Sequence, residues 1–409
     1  MKIAFVLNSF PVVSETFIVN QICSLIDCGH EITILAFNKN ENEIIHNSIL
    51  EYNLLDKVNY WIPEPKNKIR RLLYIIKFIF KRKEDYNYSK VIKVFNFFKY
   101  GKKALSLNYF FKNQWFLKNN KFDIIHCHFA QLGIFISQLK RDGFLMDEKL
   151  VTSFHGCDID PSKVEDYKKN YQILFENIDL FTYNSTYSIN IIRKITEVTK
   201  KFKFLPVGLD TQKFNKKKIL KSASTKTEIL FCGRLVPFKA PNLAIEIVKV
   251  LIDKKYNVHL TIIGEGELKQ QIIDQINKYN IKNSVTMMGA VSQEDIISIM
   301  DDTDLFLMPG IEDESTGRAE NQGLVIQEAQ AMQLPVIVSD AGGMKYGLIE
   351  NKTGFVVKQK DILGFVDKIE ELIKNSKLKD SMGLEGRNFI VKNYDSKILC
   401  NKLVNYYKL

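Results

Sequence analysis

Apolar residues fall along this chain in short continuous runs, separated by longer stretches that place apolar residues at helical spacing. In the first half the runs are Ile3–Leu7, Ile32–Phe37, Ile124–Cys127, Leu150–Phe154 and Leu180–Tyr183. In the second they are Ile229–Cys232, Leu260–Ile263, Val285–Met288, Leu305–Met308, Val336–Val338 and Phe355–Val357. A strand with one wet face alternates apolar and polar residues. A strand covered on both faces is apolar throughout, so these runs predict parallel sheets. Helices are expected over residues 15–28, 161–177, 240–253, 267–278, 293–301, 324–332 and 361–375. The alternation in both halves predicts two doubly wound, Rossmann-like α/β units. Ligands bind at the carboxyl ends of strands in such sheets, and two facing sheets define one cleft, so the strand-end loops should carry the chemistry.

A length of 409 residues exceeds one ordinary core and agrees with two units. Pro206 and Gly208 precede a polar stretch, KFNKKKILKSASTKTE, that reads as a linker. The expected division is 1–205, 206–387, and a last segment, 388–409, that packs back on the first unit. The opening MKIAFVLNSF holds only five consecutive apolar residues and no small-residue cleavage site follows, so it reads as a buried strand. No run of about 18 apolar residues predicts a membrane span. Cys23, Cys28, Cys127, Cys157, Cys232 and Cys400 form no C-x-x-C pair. They read as buried thiols of a reducing compartment, which makes a cytoplasmic location the expectation.

Charge is uneven. Residues 66–121 hold 16 Lys and Arg against Glu84 and Asp85 alone, about +14, which leaves the rest of a +11 chain near −3. Within IRRLLYIIKFIFKRK, Arg70, Lys77 and Lys81 fall on one helical stripe and apolar side chains cover the rest. Such a helix suits an anionic membrane surface, and with it a peripheral location at the inner face of the membrane. A helix that covers the sheet and solvates its Lys face is the plainer reading. Nucleic acid is not expected, because no recognised module is present and the aromatics sit in apolar runs.

The loop GRLVPFKA, 233–240, follows the run Ile229–Cys232 and precedes a helix. Arg234 offers a planar fork for phosphate oxygens and Lys239 a compact charge, and the amino end of the helix from Ala240 adds its dipole. Together they suit a diphosphate; a loop basic by chance is the alternative. Further on, Glu320 and Glu328 stand eight apart in GRAENQGLVIQEAQAM. Gly323 ends a loop and Leu324 opens a helix, so the amides of Gly323, Leu324 and Val325 can donate to anions or sugar hydroxyls. Amphipathic helices often space two Glu this way; the strands expected before and after raise the signal.

In this order these motifs resemble the carboxyl-terminal donor domain of glycosyltransferase family 4, a GT-B-fold group. The residues are Gly233-Arg234-Leu235 with Lys239, Gly264-Glu265-Gly266, Glu320 with Glu328, and Pro335-Val336-Ile337 with Ser339, Gly342 and Gly343. Ala240 and Gln333 stand where the family pattern has Gly. The resemblance implies that Arg234 and Lys239 hold the donor diphosphate, that Glu328 holds the ribose, and that Glu320, with the backbone at 323–325, contacts the transferred sugar. It also implies a UDP- or GDP-sugar donor, retention of anomeric configuration, and no metal ion or other cofactor.

In the first half, SFHGCD places His155 and Gly156 at a strand end, and the resemblance sets His155 beside the transferred sugar. There it would donate a hydrogen bond or carry positive charge near a developing oxocarbenium; a satisfied core histidine is the alternative. Asp158 either orients His155 or faces the acceptor. Asp158-Ile159-Asp160 has the D-x-D spacing of metal sites, but Pro161 favours a helix start; His126 and His128 lie on one strand face without a carboxylate cluster nearby. No metal site is expected from either. The loop NSFPVVSETF lacks the glycines of many family members. Its F-P-x-x-S-E-T-F pattern resembles the branch that builds colanic-acid-type exopolysaccharides. Ser14 is expected to cap a helix beginning at Glu15, and both to line the acceptor side.

The expected activity is hexosyl transfer to a glycan or lipid-linked saccharide in cell-surface polysaccharide biosynthesis. Competing readings are a GT-B epimerase or phosphorylase, and a catalytically silent sugar-binding partner of another transferase. The intact set His155, Arg234, Lys239, Glu320 and Glu328 argues against silence.

Overall fold

The computed structural model describes residues 1–12, 15–40, 47–81, 86–118, 121–198, 201–217 and 226–409. Two parallel sheets form. The first contains β1 Lys2–Phe10, β2 Glu31–Lys39, β3 Val58–Tyr60, β4 Ile124–His128, β5 Lys149–Phe154, β6 Leu180–Tyr183 and β7 Phe202–Phe204, in the order β3-β2-β1-β4-β5-β6-β7. The second contains β8 Thr227–Cys232, β9 Val258–Ile263, β10 Val285–Gly289, β11 Leu305–Met308, β12 Val336–Ser339 and β13 Gly354–Val357, in the order β10-β9-β8-β11-β12-β13. Central strands are buried on both faces: every residue of β4, β11 and β12 is covered. In each sheet the strand order reverses beside its first strand, between β1 and β4 and between β8 and β11. A crevice opens beyond the strand ends at such a switch point.

This is the expected GT-B α/β architecture, with local differences. Strands β3 and β7, absent from the sequence reading, are the two edges of the first sheet and only three residues long. An edge strand has one neighbour, so it does not need the continuous apolar run that marks a central one. The helix expected over 161–177 is broken into a turn at Pro161–Lys163 and helices Val164–Asn170 and Gln172–Asn177. The break is at Tyr171, which stacks on Tyr167 at 4.6 Å and donates its hydroxyl to Asp158 O at 2.8 Å.

The expected boundary at 388 lies inside a helix, Ser376–Asn393. The chain turns only at Tyr394, and Asp395 caps the last helix, Ser396–Lys408. That helix sends Leu399, Cys400, Leu403 and Tyr407 into the core around β1 and helix Thr16–Asp27, so the carboxyl end does return to the first sheet. The linker reading at 218–225 and the capping role of Ser14 lie outside the described residues. Helix Thr16–Asp27 has Glu15 at its N-cap, and the Glu15 side chain does not make the capping hydrogen bond. No helix among the described residues is long and apolar enough to cross a membrane.

Candidate active site

Beyond β8 the backbone of Gly233 donates to Ile263 O at 2.9 Å. The neighbouring loop after β9 presses against it: a Cβ on Gly264 would lie 2.0 Å from Gly233 O, and Leu235 donates to Glu265 O at 2.9 Å. The G-R-L and G-E-G motifs therefore brace each other and fix the backbone on both sides of Arg234. The chain then makes a turn at Pro237–Lys239 and passes through Ala240 into helix Pro241–Asp253. Ala240 has φ 48° and Gln333 φ 59°. Both departures from the family's glycine pattern thus occupy left-handed backbone, where a side chain costs about 1 kcal/mol.

Lys239 Nζ lies 2.9 Å from Glu320 Oε2, with the side chains only 13% and 15% exposed. Burial pushes the Glu320 carboxyl up, but the Lys239 ammonium, the Asn321 N–H and the Arg234 charge outweigh it and hold it below the usual range. The loop after β12 fixes the backbone here. Gly343 donates to Glu320 O at 2.7 Å, and a Cβ on Gly343 would lie 1.6 Å from Asn321 O. Gly323, at φ 70°, caps helix Leu324–Ala331, whose first amides at Leu324 and Val325 have no acceptor within the helix. Glu328 sits on that helix with no hydrogen-bond donor to its carboxyl among the described residues. Burial raises its pKa to about 7, against the smaller pull of Lys239.

On the first sheet His155 follows β5 and stacks in a column of imidazoles. His128 lies 5.0 Å from His155 at 11°, and His126 lies 4.7 Å from His128 at 19°. His128 Nδ1 and His155 Nε2 share one hydrogen at 2.9 Å, while His126 bonds to Tyr407 Oη and Ser153 Oγ. Burial takes His126 and His155 down to about 3 and His128 well below its ordinary value. His155 is therefore neutral near pH 7, which corrects the expectation of a positive charge there; its hydrogen-bonding role is untouched.

Asp158 is also corrected. It is fully buried, and its carboxylate accepts from the amides of Ala130, His155 and Gly156 at 3.0 Å each, so it sets the loop that carries His155 and does not face an acceptor. Asp160 instead caps the turn at Pro161, accepting from Ser162 N at 3.0 Å. The two carboxylates of the D-x-D spacing serve separate structural tasks.

Between the sheets is a cleft of about 410 Å³. His155 and Glu15 line it from one side and Arg234, Lys239 and Glu320 from the other. Gly323, Leu324, Val325 and Glu328 are not among its lining residues; they belong to the helix that follows Glu320. Sequence reasoning missed two contributors. Arg318 lies 5.7 Å over the Phe238 ring and 3.8 Å from Asp160 Oδ2, which joins the two sides. Asn321 donates to Asn184 Oδ1 at 2.7 Å and accepts from Ser185 and Ser188 at 2.6 and 2.5 Å. Their one signal was adjacency to Glu320, since cross-domain hydrogen bonds leave no periodic trace.

Comparison with known proteins agrees with this geometry. The family model described as Glycosyltransferase Family 4 matches residues 14–213, and the one described as Glycosyl transferases group 1 matches residues 212–389. The amylovoran biosynthesis glycosyltransferase AmsK of Erwinia amylovora is 29% identical over 370 residues, 88% of each chain. The colanic acid biosynthesis glycosyltransferase WcaL of Salmonella typhimurium is 27% identical over 372 residues, 91% of this chain and 90% of that one. The crystal structure of Anabaena Alr3699/HepE in complex with UDP and glucose superposes with a TM-score of 0.72 at 15% identity, covering 99% of this chain and 98% of the other, and so shares the fold. The chain is a glycosyltransferase with the GT-B fold and belongs to glycosyltransferase family 4.

Proposed function

We propose that this enzyme transfers a hexosyl group from a UDP- or GDP-sugar to a glycan or lipid-linked saccharide, with retention, during assembly of a cell-surface polysaccharide. The observation that carries this is one cleft holding an exposed Arg234 and the Lys239–Glu320 pair, followed on the adjoining helix by Glu328, a carboxylate with no donor among the described residues. In this reading the unit 1–205 takes the acceptor and the unit from 206 takes the donor. The diphosphate engages Arg234 and Lys239. Glu320, its hold on Lys239 loosened, accepts from sugar hydroxyls, while Glu328 accepts from the ribose and the amides at 323–325 donate. The polysaccharide biosynthesis roles in the names of AmsK and WcaL support the polymer context, and the UDP and glucose in the HepE crystal structure support the donor class.

The bond from the anomeric carbon to the diphosphate oxygen breaks, its electron pair leaving with the phosphate. The acceptor oxygen bonds to the same face, and its proton passes to the departing phosphate oxygen. Arg234 and Lys239 offset the charge that builds there. Support for the phosphate as proton acceptor is that Asp158 and Asp160 are committed to amides, and that in this reading Glu320 is taken up by hydroxyls of the transferred sugar. The charges that would meet the diphosphate are side chains, so no metal ion is expected to be needed, and activity should survive chelation by EDTA. Six free thiols support a cytoplasmic location.

Thermal unfolding with UDP, GDP or ADP, on wild type and Arg234→Ala, tests the reading. One nucleotide at about 100 times its Kd adds about 2.7 kcal/mol, and the variant loses the effect. Stabilisation by none of them removes the donor-site assignment.

A further inference from the structure

We propose that the helices between β3 and β4 dock this protein on an anionic lipid surface, with helix Lys68–Lys81 lying along the bilayer interface. That helix buries a single face. Ile75 is in the core, and Tyr74 and Phe78 pack on Phe111, Tyr86 and Phe110. Arg71, on the same side, is consumed by the carbonyls of Pro65 and Ser106 and by Asn108 Oδ1. The opposite face is apolar and wet. Ile69, Leu73 and Phe80 are 68%, 60% and 76% exposed, and Leu72 and Ile76 are exposed beside them. At 3.6 residues per turn these five fall within an arc of about 100°, and Arg70 and Lys77 flank one edge of it.

A helix that only covers a sheet carries polar residues on its outer face. Here it carries the reverse, and the following helices continue the pattern. Ile92, Phe97, Phe98 and Leu105 are exposed, Phe98 by 89%, with exposed Lys99 and Lys102 among them. Ten of the 23 exposed large hydrophobic residues among the described residues lie between Ile69 and Leu105, so the feature is concentrated, not scattered.

Charge selects the occupant. Residues 66–121 carry 16 cations and two acids. Arg70 and Lys77 are exposed and have no acidic partner among the described residues. In a two-fold dimer the same patch meets itself, which would set one basic surface against another. A layer of anionic headgroups over acyl chains answers both the cations and the apolar stripe. The surface belongs to the unit assigned above to the acceptor, so it would bring a lipid-linked acceptor to the cleft; the docking does not depend on that reading.

The test is flotation of the full-length protein with phosphatidylcholine vesicles, with and without phosphatidylglycerol. Binding is expected with phosphatidylglycerol at low salt, and added salt should weaken it. Arg70→Gln and Lys77→Gln should each weaken it about fivefold, and Leu73→Glu with Ile76→Glu by at least about tenfold. Nucleotide-induced thermal stabilisation should stay unchanged in these variants, which shows that they are folded and keeps a failure here apart from a failure of the donor site. No flotation, equal flotation on neutral vesicles, or flotation indifferent to Leu73→Glu with Ile76→Glu overturns the proposal. Self-association by light scattering that Leu73→Glu with Ile76→Glu abolishes, without flotation, gives the surface to a second copy of the chain.

Discussion

Replacing Glu328 by Gln should stabilise the ligand-free protein while weakening its grip on nucleotide. Burial raises the Glu328 carboxyl from 4.5 to about 7, and no protein donor compensates. Between those values the folded state holds a proton that the unfolded state has lost. The stability this gives is present below the unfolded pKa and is lost as pH rises through about 7. Relative to the unfolded chain, the carboxyl then costs about 1 kcal/mol at about pH 5 and about 3 kcal/mol at about pH 8. Gln has the same shape and no charge, and all other groups titrate alike in both proteins. The stability gap between Glu328→Gln and wild type should therefore widen by about 2 kcal/mol across that range, or about 4–8 °C in melting temperature for a unit of this size. Thermal unfolding in matched buffers without ligand measures it. A gap that stays constant with pH refutes the claim that burial strains this carboxylate. A gap that widens while nucleotide stabilisation survives intact refutes the ribose role.

Other outcomes follow from the same geometry. Arg234→Ala and Lys239→Ala should each lower kcat by about 2–4 kcal/mol of transition-state stabilisation, as lost charge-stabilising donors do, and unchanged turnover in both removes the diphosphate role. Ala240→Gly and Gln333→Gly should each raise stability in urea titration by up to about 1 kcal/mol, the relief at left-handed φ less the added freedom of the unfolded chain. Glu15→Gln should cost less than about tenfold in kcat if the departing phosphate takes the proton; a loss of about 100-fold or more would make Glu15 the base.

The second sheet was legible strand by strand because each of its runs is apolar and bounded by turn residues. The first lost β3 and β7 because each is only three residues long with a polar residue at its centre, VNY and FKF. Glu320, Arg234 and Lys239 were legible as a spaced set, yet the spacing says nothing about how they are held. The structure supplies that through backbone contacts at Gly264 and Gly343 so close that a side chain would collide. Asp158 stayed open in the sequence between orienting His155 and facing the acceptor, because a carboxylate beside a strand end looks the same whether it faces solvent or three amides. Ala240 and Gln333 looked like small departures; only φ shows that both fall on left-handed backbone.

The charges are divided between the two sides of the cleft in a way the sequence did not suggest. Arg234 and Lys239 stand on the second unit, where a departing diphosphate would gather negative charge. His155 reaches the cleft from the first unit in neutral form, because burial in the column with His126 and His128 holds it near 3. A protonated imidazole would repel a sugar ring that becomes oxocarbenium-like, whereas a neutral one can bond a hydroxyl without opposing that charge. Under the proposed reading, the burial that keeps His155 uncharged would suit a contact with the transferred sugar. Burial also ties the imidazoles to one another and to the strands: His126 bonds to Ser153 Oγ and stacks on His128, and His128 shares a hydrogen with His155.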